Sequence, residues 1–536
     1  MSRFAGALAA LALAAGACAA LFLWQPGLDS LHDDSVSYLI MAQAFSPWHA
    51  ADPVIRAAFP HEPYPPLFPL LIALAGGAYD WRIAHMVVAA ALAASVFLLG
   101  LYAREATGSA RLAFLAALVY ALLPGTWLNA KGVLSEYPFM ALTFAVLLVH
   151  ARLGERATRR ESIALGLLLA AAMLTRNVGA VLLAAIGLAE LWRAIRLRDA
   201  ARVKSLAAAP FIAIAPIAAW LALRPIAAAN DAYVTSGGVM LQGASEDALR
   251  WILGSLQANA SALSGAWLNA LLIFWGDPWK PGYLLAVGLG AFGLAAAALR
   301  AVRGYADGIY CLLSIAILLF WPYPGQMYRL AFPLVPLVVV AALWGARELL
   351  ARRFGPAASE RGASYAAVLP LAVCVPAVLF YIVERARMPD AEGAQLGHRK
   401  TEIAEFYRMP SGPAAQEYAH RQIEVFGDLR RIRETTPSEA RVMWYTPNYV
   451  SLLARRHGVA LTRPANPAEL AAQMRAGGAD FLYLADVHPR DTLYRAGDPL
   501  YPWLLARDFT EVVWYRGKGR AEAHAVLLKI DKDKIR

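Results

Sequence analysis

The chain has 536 residues, of which 59% are hydrophobic, and its mean hydropathy is +0.46. This composition excludes an ordinary soluble enzyme and is typical of a protein with many membrane-spanning helices. The net charge of +11 does not indicate nucleic-acid binding, because Lys and Arg collect on the cytoplasmic loops of membrane proteins and no basic run here alternates with stacking aromatic residues. The three cysteines lie in apolar runs, without the spacing of metal ligands or of a disulfide framework.

The first apolar run extends from Phe4 to Trp24. One early Arg and several small residues also fit a cleaved signal peptide. A run of about 20 residues is long enough to cross the bilayer, and further apolar runs follow, so we predict a retained signal anchor.

Two adjacent carboxylates, Asp33 and Asp34, follow this run in the stretch His32–Tyr38. Carboxylates at a membrane boundary repel each other and lose hydration, so they are tolerated where a site needs a base, a metal ligand or a partner for a cation. Near apolar helices, Asp34 is suited to accept a proton from an attacking hydroxyl group. The alternative is that Asp or Ser caps a helix over Val36–Phe45, and the two interpretations are compatible.

A proline-rich polar loop comes next, and the apolar runs after it predict further spans, about 11 in total with the first. These later spans are predicted at residues 82–103, 110–124, 136–151, 162–175, 177–193, 205–223, 283–300, 306–321, 330–347 and 365–384.

The distribution of basic residues predicts the orientation in the membrane. With a cytoplasmic N-terminus, most of the basic residues between predicted spans lie on inside loops, while the outside loops hold far fewer, among them Arg56, Lys131, Arg176, Arg250, Lys280 and Arg329. This asymmetry places Asp33 and Asp34 outside, and the odd number of spans places the C-terminal segment outside too.

Composition divides the chain into a transmembrane domain at 1–385, which holds the candidate site residues and has outside loops at 25–80 and 225–282, and a soluble domain at 386–536. Four Trp residues in loop 225–282 favour helices at the membrane interface. In the soluble domain, helical and strand-like patterns alternate, which indicates an extracytoplasmic α/β domain. Its predicted helices are Glu402–Tyr407, Gln416–Thr435, Pro447–His457 and Pro467–Ala476, and its predicted strands are Ala440–Tyr445, Phe481–Leu484, Val512–Trp514 and Ala525–Leu528.

Two motifs on the predicted outside hold candidate binding residues. In His61–Leu67, prolines stiffen the chain and can start an interfacial helix; Glu62 either contacts a substrate or belongs to a stiff loop without chemistry. In Tyr328–Pro336, Arg329 lies at the outer end of a span. Its guanidinium group could bind a lipid-linked phosphate through two hydrogen bonds and offset charge on a leaving group. The alternative is an interfacial anchor.

Two further motifs, Ser135–Pro138 and Thr175–Asn177, lie at predicted outside ends of spans. Glu136 and Arg176 could pair with each other, or could reach the sugar and the phosphate of a substrate separately. Lys131 is a lesser candidate for phosphate binding, as is Lys280 in the later loop.

Together these motifs resemble those of the GT-C glycosyltransferases, in the protein-mannosyltransferase and aminoarabinose-transferase branch, which uses polyprenyl-phosphate sugars. The similar elements are the acidic pair followed by Tyr38 and Met41-Ala42-Gln43, the Pro-Pro-Leu element behind Glu62, the Ser-Glu-Pro and Thr-Arg-Pro landmarks, and the Arg-Tyr-x-x-Pro-x-x-Pro pattern. This chain departs from the pattern at Leu330 in place of Tyr, at Tyr137 inserted before Pro138, and at Asn177 in place of Pro.

The resemblance implies a mainly α, polytopic membrane protein of GT-C type in a bacterial inner membrane. It implies a hexosyl or pentosyl transferase that moves a sugar, with inversion, from a polyprenyl-phosphate donor, in bacteria undecaprenyl phosphate, to a lipid, glycan or protein acceptor outside the cytoplasm. The branch is metal-independent, so no metal or other cofactor is expected, although a divalent ion on the acidic pair is an alternative by ligand type. The implied roles are catalysis by Asp34 and Asp33, binding of the donor phosphate by Arg329, Arg176 and Lys131, and substrate binding by Glu62, His61, Tyr64, Tyr38 and Glu136.

Other functions also fit a membrane protein of this composition. In a transporter or lipid flippase, Arg and Glu residues at membrane depth would line a pathway, but the sequence has no matched interrupted helices in two halves. A glycan polymerase or ligase would share the donor type and the topology. A non-catalytic assembly protein would leave the acidic pair and Arg329 without a role. No Gly-rich phosphate loop supports the use of a nucleotide sugar.

Overall fold

The computed structural model describes residues 3–22, 34–223, 248–272, 280–387, 413–462, 464, 466–485, 500–519 and 523–535. Asp33 and the predicted helix Glu402–Tyr407 lie outside the described residues.

Every predicted span overlaps a helix. The helices up to residue 387 are α1 (Arg3–Phe22), α2 (Ser35–Phe45), α3 (Pro53–Ala58), α4 (Leu67–Leu74), α5 (Trp81–Thr107), α6 (Ala110–Leu122), α7 (Pro124–Ala130), α8 (Glu136–Arg152), α9 (Arg159–Thr175), α10 (Gly179–Leu197), α11 (Ala201–Ser205), α12 (Ala208–Leu223), α13 (Ala248–Leu272), α14 (Lys280–Val302), α15 (Ala306–Leu319), α16 (Met327–Leu330), α17 (Val335–Phe354), α18 (Pro356–Ala366) and α19 (Val368–Arg387).

Four helical segments among the described residues are long and apolar enough to cross a membrane unaided: Arg3–Leu21, Trp81–Thr107, Leu284–Val302 and Pro324–Phe354. The pair α6 and α7 passes the same test together, with a bend of 54°, and makes a fifth. The chain is therefore a multi-pass membrane protein. The total of about 11 spans stays a prediction.

The bend between α6 and α7 follows from Pro124. Proline lacks an N–H group and disfavours a helical conformation of the residue before it. Leu123 is accordingly extended, with φ −61° and ψ 129°, and Pro124 opens the new helix α7. The segment after α7 then leads directly into the motif that begins α8.

The long outside segment predicted at 225–282 contains α13, a continuous helix of 25 residues. Its buried Asn259 donates hydrogen bonds to the carbonyl groups of Leu319 and Trp321, both at 2.9 Å. Those carbonyls lie at the C-terminal end of α15, where a helix leaves acceptors without intrahelical partners. Asn259 thus ties α13 to the C-terminal end of α15.

The C-terminal residues form a mixed five-stranded sheet. The strands are β1 (Arg441–Trp444), β2 (His457–Ala460), β3 (Phe481–Ala485), β4 (Thr510–Gly517) and β5 (Ala523–Ile530), and the helices are α20 (Pro413–Thr435), α21 (Pro467–Gly477) and α22 (Leu500–Leu505). The strand order is β2-β1-β3-β5-β4; β1 is parallel to β2 and β3, and β5 is antiparallel to β3 and β4. All four predicted strands are confirmed, as is the predicted α/β character of this region.

Side chains that alternate along β3 contact different groups, as expected for a strand covered on both faces. Leu482 packs in one apolar cluster with Leu470 and Met474 of α21. The intervening Tyr483 instead donates its hydroxyl to the Asp428 carboxylate of α20, at 2.8 Å. The domain core therefore forms between the sheet and its helices.

The helix predicted at Pro447–His457 is confirmed as helical structure as far as Ala454 and is wrong only beyond it. The structure has one helical turn at Pro447–Tyr449, a π-helix at Val450–Ala454, and then the strand β2. At Gly458 a Cβ atom would lie 2.0 Å from the Pro447 carbonyl oxygen, so only glycine permits this close return of the chain. The edge strand is short and partly exposed, which left no alternating pattern to predict it.

The chain divides into two compact units. The helical unit comprises Met1–Trp24, Pro63–Leu71 and His85–Arg387, and the α/β unit comprises Gln25–Glu62, Ile72–Ala84 and Met388–Arg536. Asp34 and α2 thus belong to the same unit as the C-terminal sheet, a grouping that composition along the chain does not reveal.

Candidate active site

One buried carboxylate in the helical unit is shared by two guanidinium groups. Oε1 of Glu136 lies 2.7 Å from Nη1 of Arg176, and Nε of Arg329 donates to the same oxygen. The Glu136 side chain is fully buried, and each arginine side chain is 13% exposed. The sequence left open whether Glu136 and Arg176 pair; in the structure they do, and Arg329 joins them. We call these three residues the shared-carboxylate cluster.

Two helix ends bring Glu136 and Arg176 together. Glu136 is the first residue of α8, where the positive end of the helix dipole favours a carboxylate, and Pro138 is tolerated in the same turn. Arg176 caps the C-terminal end of α9, where the dipole favours a cation. Its Nη1 also donates to the hydroxyl oxygen of Ser135, the residue before α8, at 3.2 Å.

Aromatic packing brings Arg329 to the same place. The ring of Phe332 lies edge-on to the ring of Tyr137, with 6.4 Å between centroids, and the Tyr137 hydroxyl donates to the Thr126 carbonyl. Because Phe332 follows Arg329 closely and Tyr137 follows Glu136, this contact joins the two segments next to the ion pair. These contacts explain structurally why Tyr137 stands before Pro138, where the family pattern has no inserted residue.

The cluster carries two positive charges and one negative charge. Two guanidinium groups held by one carboxylate bring several N–H donors to one place, which suits an anionic ligand. Oε2 of Glu136 is buried and accepts no hydrogen bond within the part of the chain that the structure describes. Lys131, only 1% exposed, lies at the end of α7 in the segment that leads to Glu136. This arrangement can bind a phosphate group and also accept a hydrogen bond from a sugar hydroxyl.

The acidic motif lies in the α/β unit. Asp34 is half-buried and occupies the N-cap position of α2, but its side chain makes no capping hydrogen bond. Its backbone carbonyl accepts the N–H of Tyr38 at 3.1 Å, and the Tyr38 side chain is buried. The predicted cap therefore exists through the backbone, and the carboxylate is not used in capping.

The proline-rich motif contributes residues to both units. Glu62, at the end of the short 3₁₀ helix Phe59–His61, is 5% exposed and lies in the α/β unit with the exposed His61. Tyr64 is half-buried and lies in the helical unit. Glu62 is therefore buried rather than solvated, and its role as a substrate contact stays a prediction.

Sequence reasoning missed the polar residues that hold α2. Gln43 and Arg455 form a hydrogen bond although they are 412 positions apart, and no local pattern relates them. Gln43 belongs to an element of the family resemblance, which was the only signal for it.

The sequence left open that a divalent ion binds to the acidic pair. Among the described residues, no group of three or more His, Cys, Asp and Glu side chains is gathered as a metal site would need. Because Asp33 lies outside those residues, the expectation of a metal-independent site stays a prediction.

Comparison with solved structures identifies the fold. The chain superposes on ArnT from Cupriavidus metallidurans in the apo state with a TM-score of 0.54 and 13% identity, covering 98% of each chain. It superposes on the same protein bound to undecaprenyl phosphate with a TM-score of 0.52 and 14% identity, covering 97% of each chain. No protein-family model and no curated sequence matches. The likeness therefore shows a common fold over nearly the full length of both chains.

Proposed function

We propose that this protein, which has the GT-C glycosyltransferase fold, transfers a sugar from a polyprenyl-phosphate donor to an acceptor outside the cytoplasm. The observation that carries the proposal is the shared-carboxylate cluster: Arg176 and Arg329 converge on one buried carboxylate. Guanidinium groups recognise phosphate through paired N–H donors, and two of them held by a common anion are preorganised for it.

The choice of donor is supported by the fold comparison. One of the two ArnT structures is bound to undecaprenyl phosphate, and we propose the same class of lipid carrier for this chain. A lipid-linked donor would also explain why the sequence lacks a Gly-rich nucleotide-binding loop.

We propose a single displacement at the anomeric carbon. Asp34 accepts the proton of the acceptor hydroxyl, whose oxygen forms the new bond to the anomeric carbon. The bond from that carbon to the phosphate oxygen breaks on the opposite face, and the polyprenyl phosphate leaves with the electron pair. Attack and departure on opposite faces invert the anomeric configuration.

The cationic residues would act on the leaving group. Arg329, with Arg176 and Lys131, would stabilise the negative charge that develops on the phosphate, an effect that is strong in a water-poor site. Tyr38, His61, Glu62, Tyr64 and Glu136 remain the proposed sugar and acceptor contacts. The reaction as written needs no metal ion.

The proposed location is a bacterial inner membrane, with the N-terminus in the cytoplasm and the α/β unit outside. The acceptor would then be an envelope lipid, glycan or protein. The positive-inside distribution supports this orientation.

A genetic experiment with mass spectrometry tests the function. Lipid, polysaccharide and envelope-protein fractions are compared between a deletion strain and strains complemented with wild type or with Asp34→Asn. We expect one sugar to be lost in the deletion and restored by wild type but not by Asp34→Asn, because asparagine cannot accept the proton.

A matched control is Asp199→Asn. Asp199 is exposed on a predicted inside loop and caps the backbone N–H of Ala201 at 2.8 Å, and asparagine caps equally well. It should restore the sugar fully. Restoration by Asp34→Asn at wild-type level, or no glycan difference in the deletion, would overturn the proposal.

A further inference from the structure

Gln43 joins three segments of the α/β unit. Its side chain is 1% exposed; Oε1 accepts a hydrogen bond from Nη1 of Arg455 at 2.9 Å, and Nε2 donates to the Ala78 carbonyl at 3.0 Å. Both ends of a buried amide are thus satisfied, one of them by a charged donor, which makes the stronger kind of hydrogen bond. The contact ties the C-terminal part of α2 to the chain just before β2.

A second contact ties the other end of α2 to the same segment. Asn448 donates from Nδ2 to the hydroxyl oxygen of Ser37 at 3.3 Å, and Ser37 is 5% exposed. Ser37 lies in the first turn of α2, the helix that begins immediately after Asp34. An α-helix is stiff over so short a length, so contacts at both ends fix its axial position and its rotation.

The segment that makes these contacts has an unusual backbone. Asn448 and Arg455 lie on either side of the π-helix Val450–Ala454, and Arg455 is in the left-handed region at φ 54°. Arg455 is one of only two non-glycine residues with positive φ in the described part of the chain. Such conformations persist when surrounding contacts hold them, and they often occur at functional sites.

The guanidinium group of Arg455 is held in a partly dry environment. Burial lowers its pKa, and Arg433 acts in the same direction, while Asp52 and Tyr79 oppose the shift. All these groups belong to the α/β unit. Arg455 is therefore only partly exposed to solvent, and its guanidinium group lies against α2.

We infer that Gln43, Asn448 and Arg455 are positioning residues, through which the C-terminal sheet holds α2 and the proposed catalytic Asp34 in place. This inference rests on the proposed function. It gives the soluble domain a role in catalysis, because proton transfer requires the carboxylate to lie within hydrogen-bonding distance of the acceptor. We call the Gln43–Arg455 contact, together with Asn448–Ser37, the α2 latch.

The test uses the full-length protein with Arg455→Asn and Gln43→Leu. Asparagine tolerates the left-handed conformation, so Arg455→Asn removes the guanidinium group without adding backbone strain. We expect each variant to lower sugar transfer in the complemented strain about tenfold to a hundredfold, the effect of a small misplacement of a reacting group. Binding of undecaprenyl phosphate should be unchanged, because the phosphate-binding residues lie in the helical unit.

Further measurements distinguish a loss of positioning from a general destabilisation of the fold. The backbone amides of Ser35–Phe45 should exchange with deuterium faster in both variants, whereas the thermal unfolding temperature should stay close to that of wild type. The double variant Gln43→Leu/Arg455→Asn should transfer sugar no more slowly than the slower single variant, because both substitutions remove the same Gln43–Arg455 hydrogen bond.

Asn448→Ala serves as an independent variant if either of the first two fails to fold. Arg475→Ala, on the exposed side of α21, is the matched control and should behave as wild type.

The possible results separate the two proposals. Wild-type transfer and unchanged exchange in Arg455→Asn, Gln43→Leu and Asn448→Ala would overturn the latch while Asp34→Asn stays inactive. Full activity of Asp34→Asn would instead overturn the proposed function. Losses that simply add in the double variant would show that Gln43 and Arg455 act separately, which also overturns the latch.

Discussion

Among the arginine–carboxylate sites in the described part of the helical unit, two differ in composition. Arg300 binds Asp307 through two parallel hydrogen bonds, Nε to Oδ2 at 2.8 Å and Nη2 to Oδ1 at 3.1 Å, and the side chains are 2% and 3% exposed. Its guanidinium group also lies over the rings of Tyr305 and Trp344, at 4.4 and 5.0 Å from their centroids. The charges match one to one. In the shared-carboxylate cluster, by contrast, two arginines meet one carboxylate.

This difference indicates different roles. A one-to-one pair with aromatic cover, on the predicted cytoplasmic side, has the properties of a structural tie between α14 and α15. A cluster in which two arginines share one carboxylate, on the predicted outside, offers several N–H donors at one place and is suited to an anionic substrate. Two sites built from the same residue types can therefore be distinguished by how many arginines the carboxylate binds, and substitutions at each should affect different properties.

The largest expected effect is on the free energy of unfolding, at the Arg300–Asp307 pair. Asp307→Asn leaves the Arg300 guanidinium group buried without its counter-ion, which costs about 3–5 kcal/mol in free energy of unfolding. Thermal unfolding of the purified protein in detergent would measure it. The double variant Arg300→Leu/Asp307→Leu should recover most of the loss, because apolar side chains often replace a buried ion pair at little cost.

Undecaprenyl phosphate binding, measured on Asp307→Asn protein kept below its unfolding temperature, should equal that of wild type. Weaker binding there would mean that this site also acts on the substrate, and the contrast between the two sites would fail.

The next largest effect is on the rate of sugar transfer, at the shared-carboxylate cluster. Arg329→Ala leaves Glu136 paired with Arg176, so stability should change little. Transfer should fall about a hundredfold to a thousandfold, the usual effect of removing one donor that stabilises developing negative charge. Undecaprenyl phosphate should bind more weakly, which titration with the purified variant would detect.

Arg329→Lys separates the phosphate role from that of an interfacial anchor. Lysine keeps the charge and anchors at an interface, but it cannot form two parallel hydrogen bonds to phosphate. An intermediate loss of transfer supports phosphate binding. Wild-type transfer in Arg329→Lys, with unchanged phosphate binding in Arg329→Ala, would identify Arg329 as an anchor.

The sequence predicted those parts of this arrangement that depend on local pattern. Apolar runs located the helices, and basic residues placed Glu136 and Arg176 on one predicted side, which made their pairing an open alternative. That Arg329 shares the carboxylate depends on Phe332 packing against Tyr137, between segments nearly 200 positions apart. The Gln43–Arg455 contact and the edge strand β2 were missed for the same reason, because only tertiary packing determines them.

The smallest expected effect tests how Arg176 is oriented in the shared-carboxylate cluster. Ser135→Ala removes the hydroxyl of a fully buried serine that accepts a hydrogen bond from Arg176 at 3.2 Å. A hydrogen bond of this kind contributes about 1 kcal/mol, so transfer should fall about fivefold while Arg176 still pairs with Glu136. Ser359→Ala is the matched control: this buried serine donates to the Pro356 carbonyl at 2.7 Å, away from the cluster. Equal losses of transfer in the two variants would mean that Ser135 affects only packing, whereas a loss confined to Ser135→Ala would establish that the orientation of Arg176, and not its charge alone, sets the rate.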